Sequence, residues 1–432
     1  MDFAATVSQE ELAAFRRDVH RHAESGLSEF WTTAFLAEKL SGAGYAVLLG
    51  DAISDAASRM GTPDAAVQRA RLETARQQGA SPAWLERMGG ITGLVADVRP
   101  DLPTLTALRF DIDAVDVEES PEDAHFPARE GFASLNAGEC HACAHDGHAA
   151  IGLGVALELA RRRDRLRHNI RLIFQPGEEG VRGALPMVRA GVVDGVKYFL
   201  AAHIGVNATR DHELVCGTTG FLATTKFDVE LTGRASHSGS EPHAGNNSLL
   251  AAASILLNLH AIPRHGLGDT RITVGRLSGG SGRNVIPSSA YMVCETRGAT
   301  TEINDYMFEK AKTIIEHGAA MYDQQYRITI MGGTGCAASD PQAMRVIREA
   351  GEKIPYFHKE LIRDMGRGYG SDDACAFLEA VQKQGGCGTY AQLGSALAAG
   401  PHNQRFDFNE AVLAPGVELF CRAALALDEI GA

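Results

Sequence analysis

Apolar residues recur at helical spacing from Leu12 to Gly44, so the chain is expected to open in helix. Residues 51–89 change character. Ala, Arg, Gln and Glu dominate there, punctuated by Gly61, Pro63, Gly79 and Pro82, which predicts short helices forming an insertion. Strand-like and helical runs then alternate. Ile91–Val98, Thr104–Phe110, Ile170–Phe174 and Val196–Ala202 read as strands, with helices expected from about Gly147 to Arg163 and around Gly183–Ala190. This alternation predicts an α/β fold with a mixed, mostly parallel sheet flanked by helices. Ligands of such sheets bind beyond the carboxyl ends of strands. Asp111, Asp113, Glu178, Glu179 and His203 each follow a strand-like run and are expected at one sheet edge.

The middle of the chain has a different order. Thr224–Thr232 alternates as a strand, Asn247–His260 is helical in pattern, and Arg271–Leu277, Ala290–Arg297, a helix near Asn304–Met321 and Tyr326–Met331 complete βαββαβ. That order predicts an inserted, ferredoxin-like α+β sandwich with antiparallel strands. The Gly-rich stretch 278–282 is expected as a tight connection and Gly332-Gly333-Thr334-Gly335 as a boundary hinge. From about Ala337 the first domain is expected to resume, closing in a helix from Pro415, a residue suited to the first helical position, to Leu427. The expected division is 1–222 and 337–432 for the main domain, with 223–336 inserted.

Composition narrows the function classes. A chain of 432 residues with 45% hydrophobic and 22% charged residues has ordinary globular composition. Its 54 acidic and 41 basic residues leave a net charge of −13, which repels phosphate backbones and anionic lipid, so neither nucleic acid nor membrane is expected as a partner. No apolar run approaches the roughly 18–20 residues of a membrane span, and residues 1–10 lack a basic segment with an apolar core behind it, so a cytoplasmic location is expected. The eight cysteines are too scattered for a disulfide framework.

Chemistry concentrates in residues 141–148, His-Ala-Cys-Ala-His-Asp-Gly-His. From an extended segment, Cys143 and His145 would point the same way and grip a metal. They also read as a buried thiol beside a helix-capping imidazole. The adjacent Glu178 and Glu179 repel each other unless a cation or a shared proton compensates. In a dinuclear centre Glu179 would be a ligand and Glu178 the general base, because two metals lower the pKa of water from ~15.7 towards ~7. Asp113 reads as the carboxylate behind a ligating imidazole or as a strand-end turn residue. His402 is the expected ligand on the far side of the metal pair.

Several blocks together resemble the aminoacylase/carboxypeptidase metallopeptidases, in their amidohydrolase branch. These are Arg17-Asp18-Val19-His20, Arg109 to Ala114, His141 to His148, Gln175 to Gly180, Ala202-His203-Ile204, Gly370-Ser371-Asp372-Asp373 and Gly400-Pro401-His402-Asn403, in family order over nearly the whole chain. Ser58-Arg59-Met60-Gly61, residues 76–80 and residues 221–228 are similar to hydrolases of the p-aminobenzoyl-glutamate type. The resemblance implies a dinuclear metallopeptidase catalytic domain with an inserted dimerisation domain. It implies Mn²⁺ or Zn²⁺ held by Cys143, His145, Glu179, His203 and His402, with Glu178 as base and Asp113 as orienter. It further implies that His237 reaches a neighbouring active site to stabilise the oxyanion, and that Asn284 and Arg297 contact substrate. Arg297 also reads as a strand-end surface charge.

The implied reaction is hydrolysis of an N-acyl amino acid, foremost p-aminobenzoyl-glutamate, with indole-3-acetyl-aspartate or other acyl amino acids and dipeptides as alternatives. The implied assembly is a homodimer or a heterodimer with a paralogous chain. Two rival readings are a non-catalytic assembly component of such an enzyme, against which the full ligand set argues, and a structural zinc protein, which would leave Glu178 and Asp113 without a task. The chain departs from the family at Ala144, where glycine is usual, and at Gly177, where the nearest group has alanine.

Overall fold

In the computed structural model, which describes residues 6–368 and 370–430, the first helix spans Gln9–Arg21. The Ser8 side chain accepts the Glu11 N–H while the Glu11 carboxylate accepts the Ser8 N–H, a reciprocal cap. The helical spacing that continues towards Gly44 does not make one helix. The chain turns after His22 and a second helix, Phe30–Gly42, begins, because the buried Glu24 carboxylate accepts the N–H groups of Trp31 and Thr32 at 2.8 and 2.9 Å. The insertion holds the helices Ala65–Gln77 and Pro82–Met88.

The strands, in chain order, are β1 (Ala46–Leu48), β2 (Leu94–Asp97), β3 (Thr104–Asp111), β4 (Asn169–Gln175), β5 (Tyr198–Ile204), β6 (Leu214–Thr219), β7 (Ala223–Thr232), β8 (Thr270–Gly279), β9 (Ser289–Gly298), β10 (Gln325–Thr334), β11 (Ile362–Arg367) and β12 (Cys387–Leu393). Contacts divide the described chain into two compact units. One comprises 6–220, Ala337–Gly368 and 372–430, and the other Phe221–Cys336 with Gly370 and Ser371.

The first unit is built on an eight-stranded sheet ordered β1-β2-β4-β3-β5-β12-β6-β11. The central strands β4, β3, β5 and β12 are parallel, β6 and β11 are parallel to each other but opposed to β12, and β1 and β2 run antiparallel at the edge. β3, β4 and β5 are buried over most of their length, as parallel strands covered on both faces must be. The helix His145–Ala160 lies almost wholly in the core, against Gln9–Arg21 and the C-terminal helix Leu413–Ile430. Pro415 is the third residue of that last helix rather than its first. Its missing N–H is harmless there, since the first turn has no intrahelical acceptor to offer.

The second unit is an antiparallel sheet ordered β10-β7-β9-β8, with the helices Ser248–His260 and Thr301–Ala320 packed on it. Phe227, Val229 and Leu231 of β7 share a core with Ile255, Met307 and Ile315 of the helices. Gly332 and Gly333 are not a hinge. They continue β10 past a register shift between Ile330 and Gly332, paired with Lys226 and Thr225. Among the described residues, no helix is long and apolar enough to cross a membrane.

Candidate metal centre

β3, β4 and β5 end side by side, and just past their carboxyl ends stand Asp113, Glu178 and Glu179, with His203 near the end of β5 itself. Cys143 and His145 do not sit on an extended segment. Ala144 between them takes a left-handed conformation, φ 66° and ψ 12°, and His145 is the first residue of its helix. That turn still brings the two side chains together. One ligand atom each from Cys143, His145 and His203 lie within 4.8 Å of one another, and so do those of Cys143, Glu179 and His402, and of His145, Glu178 and Glu179. Cys143 belongs to the first two groups. Its Sγ is 3.5 Å from His203 Nε2, and His402 Nε2 is 3.0 Å from Glu179 Oε1.

The imidazoles are held in a donor-ready form. His145 Nδ1 lies 2.9 Å from the Asp113 carbonyl and His203 Nδ1 lies 2.9 Å from the Ile204 carbonyl, so each carries its proton on Nδ1 and turns Nε2 to the cluster. His145 Nε2 is buried without a hydrogen-bond partner. Burial opposes charge on His145, but Asp111, Asp113 and Cys143 hold its pKa well above the ordinary value. Burial and the neighbouring His148 push His203 well below its own. Burial also pushes the Cys143 thiol up to about 12, so a thiolate there requires a nearby cation. The Glu178 carboxyl is raised well above the usual range by burial and by Asp372, Glu179 and Asp373. Mixed sulfur, imidazole and carboxylate donors converging with an unpartnered Nε2 suit a pair of divalent cations.

Other groups close in around this cluster. Asp113 Oδ2 accepts the Glu179 N–H at 2.8 Å, so the same residue braces His145 and the carboxylate loop. His148 lies among the imidazoles, yet its Nε2 accepts the Ile204 N–H at 2.9 Å and its Nδ1 bonds Asp111, which leaves no lone pair for a metal. The fully buried Arg109 holds Asp111 at 2.6 Å and reaches Asp372 and Asp373 at 3.3 and 3.4 Å. Asp372 and Asp373 form a further acidic group with Glu178. Sequence reading named neither as a site residue, and the only signal for them was the Gly-Ser-Asp-Asp run.

His237, Asn284 and Arg297 lie in the second unit. His237 Nδ1 accepts the N–H groups of Gly239 and Ser240, both at 3.1 Å, and the Asn284 carbonyl accepts the Ser238 N–H at 3.0 Å, so these two segments are neighbours. Arg297, near the end of β9, contacts Glu295 at 2.9 Å and the Ser371 hydroxyl at 3.3 Å.

Comparison with known proteins decides the lineage. The profile of peptidase family M20/M25/M40 matches residues 107–426. The chain belongs to this family. As a family member it is a hydrolase, and relatives extend the match over its length. It is 46% identical to an indole-3-acetyl-aspartic acid hydrolase of Enterobacter agglomerans, over 96% of this chain and 95% of that protein. It is 45% identical, with the same coverage, to one of the subunits of the p-aminobenzoyl-glutamate hydrolase of Escherichia coli (strain K12). The crystal structure of an aminobenzoyl-glutamate utilization protein from Klebsiella pneumoniae superposes with a TM-score of 0.83 at 40% identity, covering 96% of this chain and 95% of that one. The mostly parallel sheet with its inserted α+β unit is thus a family architecture.

Proposed function

We propose that the chain is a dinuclear metal-dependent amidohydrolase that cleaves an N-acyl amino acid, with p-aminobenzoyl-glutamate as the first substrate to test and indole-3-acetyl-aspartate as the second. The observation that carries this reading is the pair of donor groups sharing Cys143, set beside the buried carboxyl of Glu178. Cys143, His145, Glu179, His203 and His402 would hold two divalent cations, Mn²⁺ or Zn²⁺. When bound, such cations polarise a carbonyl and acidify water. Glu178 takes the proton of the attacking water. It then delivers that proton to the nitrogen of the breaking C–N bond, so the amine leaves neutral. A carboxyl raised by burial and by like charges is suited to hold a proton between those two transfers.

Asn284 and Arg297 are proposed to bind substrate, Arg297 by a bidentate fork on the amino-acid carboxylate. His237 is proposed to steady the oxyanion in the site of a neighbouring protomer. The assembly is a homodimer or a heterodimer with a paralogous chain. The Escherichia coli relative is named as one component of its hydrolase, which supports a partner. The proposed setting is the cytoplasm, where eight cysteines free of disulfides stay reduced.

The test is a hydrolysis screen of p-aminobenzoyl-glutamate, indole-3-acetyl-aspartate and hippurate with Mn²⁺- or Zn²⁺-loaded protein. Glu178→Gln should abolish turnover with metal content retained, and Arg297→Ala should raise KM for acidic substrates. A Glu178→Gln protein with near-normal rate removes Glu178 from the reaction.

A further inference from the structure

The loop that carries Glu178 and Glu179 is folded against the preferences of its own backbone. Gly177, Gly180 and Val181 all lie in the left-handed region, at φ 60°, 93° and 55°. Glycine tolerates that region, whereas for the β-branched Val181 it is strongly disfavoured. Internal bonds close the turn: Arg182 and Gly183 donate to the Gly177 carbonyl at 3.1 and 3.0 Å, and Val181 donates to the Glu178 carbonyl at 2.7 Å. Such a turn persists only where its surroundings hold it.

Three buried carboxylates hold it by accepting backbone N–H groups. Asp113 takes the N–H of Glu179 at 2.8 Å, in the middle of the loop, and Asp373 takes those of Gly183 and Ala184 at 3.1 and 2.9 Å, at its end. Glu29 takes the N–H of Gly177 at 2.8 Å, at its start. Asp113 also bonds His145, and Asp373 stands in an acidic group with Glu178, so both touch the site directly. Glu29 does not. Among the described residues it joins no group of converging donors, and its bond to the loop is to the main chain alone.

Glu29 immediately precedes the helix Phe30–Gly42 and is fully buried. Its Oε1 also accepts the Leu27 N–H at 2.9 Å, and the Thr92 hydroxyl donates to its Oε2. Leu27 is itself left-handed, at φ 65°, and its Cδ2 lies where it would meet a Cβ on Gly177 at 2.8 Å. One oxygen thus ties together two left-handed turns, one leading into the helix and one carrying the proposed base and ligand. Burial and the neighbouring Asp113 raise the Glu29 carboxyl to a pKa of about 7, and both its charged and its neutral form present an acceptor to these N–H groups.

We propose that Glu29 is a positioning residue for the reaction centre: by accepting the Gly177 N–H it holds the loop in the conformation that aims Glu178 and Glu179 at the metal-ligand cluster. The consequence for metal rests on the amidohydrolase reading, and the hold on the loop does not.

The test compares Glu29→Asp, Glu29→Met and Glu29→Gln in the full-length chain. Aspartate keeps the charge but is one methylene too short, methionine keeps the bulk without the acceptor, and glutamine keeps both length and acceptor. Hydrogen exchange of the metal-free chain, read by mass spectrometry over residues 177–183, should quicken about tenfold or more in Glu29→Asp and Glu29→Met and stay near wild type in Glu29→Gln. Mn²⁺ affinity, measured against a calibrated chelator, should fall about 10–100-fold in the first two and be restored in the third. Glu29→Asp carries the comparison if circular dichroism shows Glu29→Met unfolded. The proposal is overturned by loop exchange that is unchanged in Glu29→Asp, that quickens evenly over the whole first unit, or that is as fast in Glu29→Gln as in Glu29→Asp. It is also overturned by Mn²⁺ affinity that stays at the wild-type value while the loop loosens. A wild-type chain that binds no Mn²⁺ and hydrolyses no acyl amino acid defeats the amidohydrolase reading alone, and the exchange comparison still decides the role of Glu29.

Discussion

His145 and Asp113 are joined twice: Nδ1 of the imidazole lies 2.9 Å from the Asp113 carbonyl and 3.2 Å from its Oδ1. The other oxygen of that carboxylate accepts the Glu179 N–H at 2.8 Å. One side chain thereby sets the orientation of two proposed ligands, one at the start of the helix His145–Ala160 and one in the loop past β4. Asp113→Ala should keep the fold but weaken metal binding about 10–100-fold, the usual effect of losing such a brace. Competition with a calibrated chelator measures it, and unchanged affinity would return Asp113 to the status of a turn residue.

Ala144 occupies the left-handed region that favours glycine, at φ 66°. A Cβ there costs on the order of 1 kcal/mol, so Ala144→Gly should stabilise the metal-free chain by about that amount. Urea unfolding reads this as a higher midpoint at unchanged slope. A lower midpoint would mean that the added freedom of the unfolded chain outweighs the relieved strain.

Gly177 is the converse case. It sits at φ +60°, and a Cβ built on it would come within 2.8 Å of Leu27 Cδ2. Gly177→Ala should cost about 1 kcal/mol or more, and Leu27→Ala in the same chain should recover part of the loss. Strict additivity of the two substitutions would show that the contact does not matter.

The fold was legible where burial leaves a mark on sequence. Val, Ile, Leu and Phe runs announce β3, β4 and β5, because a strand covered on both faces has no polar side. Three-residue β1 carries too little pattern to register. β6, β11 and β12 escaped as well: β11 is exposed along most of its length, and β12 begins in a Gly-rich stretch. The break between the first two helices was hidden because Leu27 and Glu24, which turn the chain and cap the second helix, look like helix formers in a helical spacing. At the site, sequence supplies donor types but not backbone angles. Nothing in alanine announces the left-handed turn at Ala144, and extended geometry was the natural expectation for Cys143 and His145. Asp372 and Asp373 reach Glu178 from far along the chain, and only three-dimensional convergence shows it.

His20 is a second place where charge and fold are linked. Burial opposes its protonation, but hydrogen bonds to Asp146 and Glu119, both at 2.8 Å, raise its pKa to about 9. A folded pKa above the unfolded value of 6.5 gives stability that is full below pH 6.5 and lost as pH rises through about 9. The stability lost on His20→Gln should therefore be larger at pH 6 than above pH 9.5, by on the order of 3 kcal/mol. Urea unfolding of the metal-free proteins at both pH values checks the sign, and a pH-independent difference would mean that His20 is neutral in the folded chain.

Cys143, His145, Glu179, His203 and His402 are proposed together to cage two cations beside Glu178. Elemental analysis of protein loaded with Mn²⁺ or Zn²⁺ and then freed of loose metal, followed by stepwise chelation with amidase activity measured in parallel, tests this proposal most directly. The expected result is about two metals per chain and loss of activity as they are withdrawn, with Cys143→Ala lowering the count. Activity that survives complete removal of metal, or a metal count that does not respond to loss of these side chains, would contradict it.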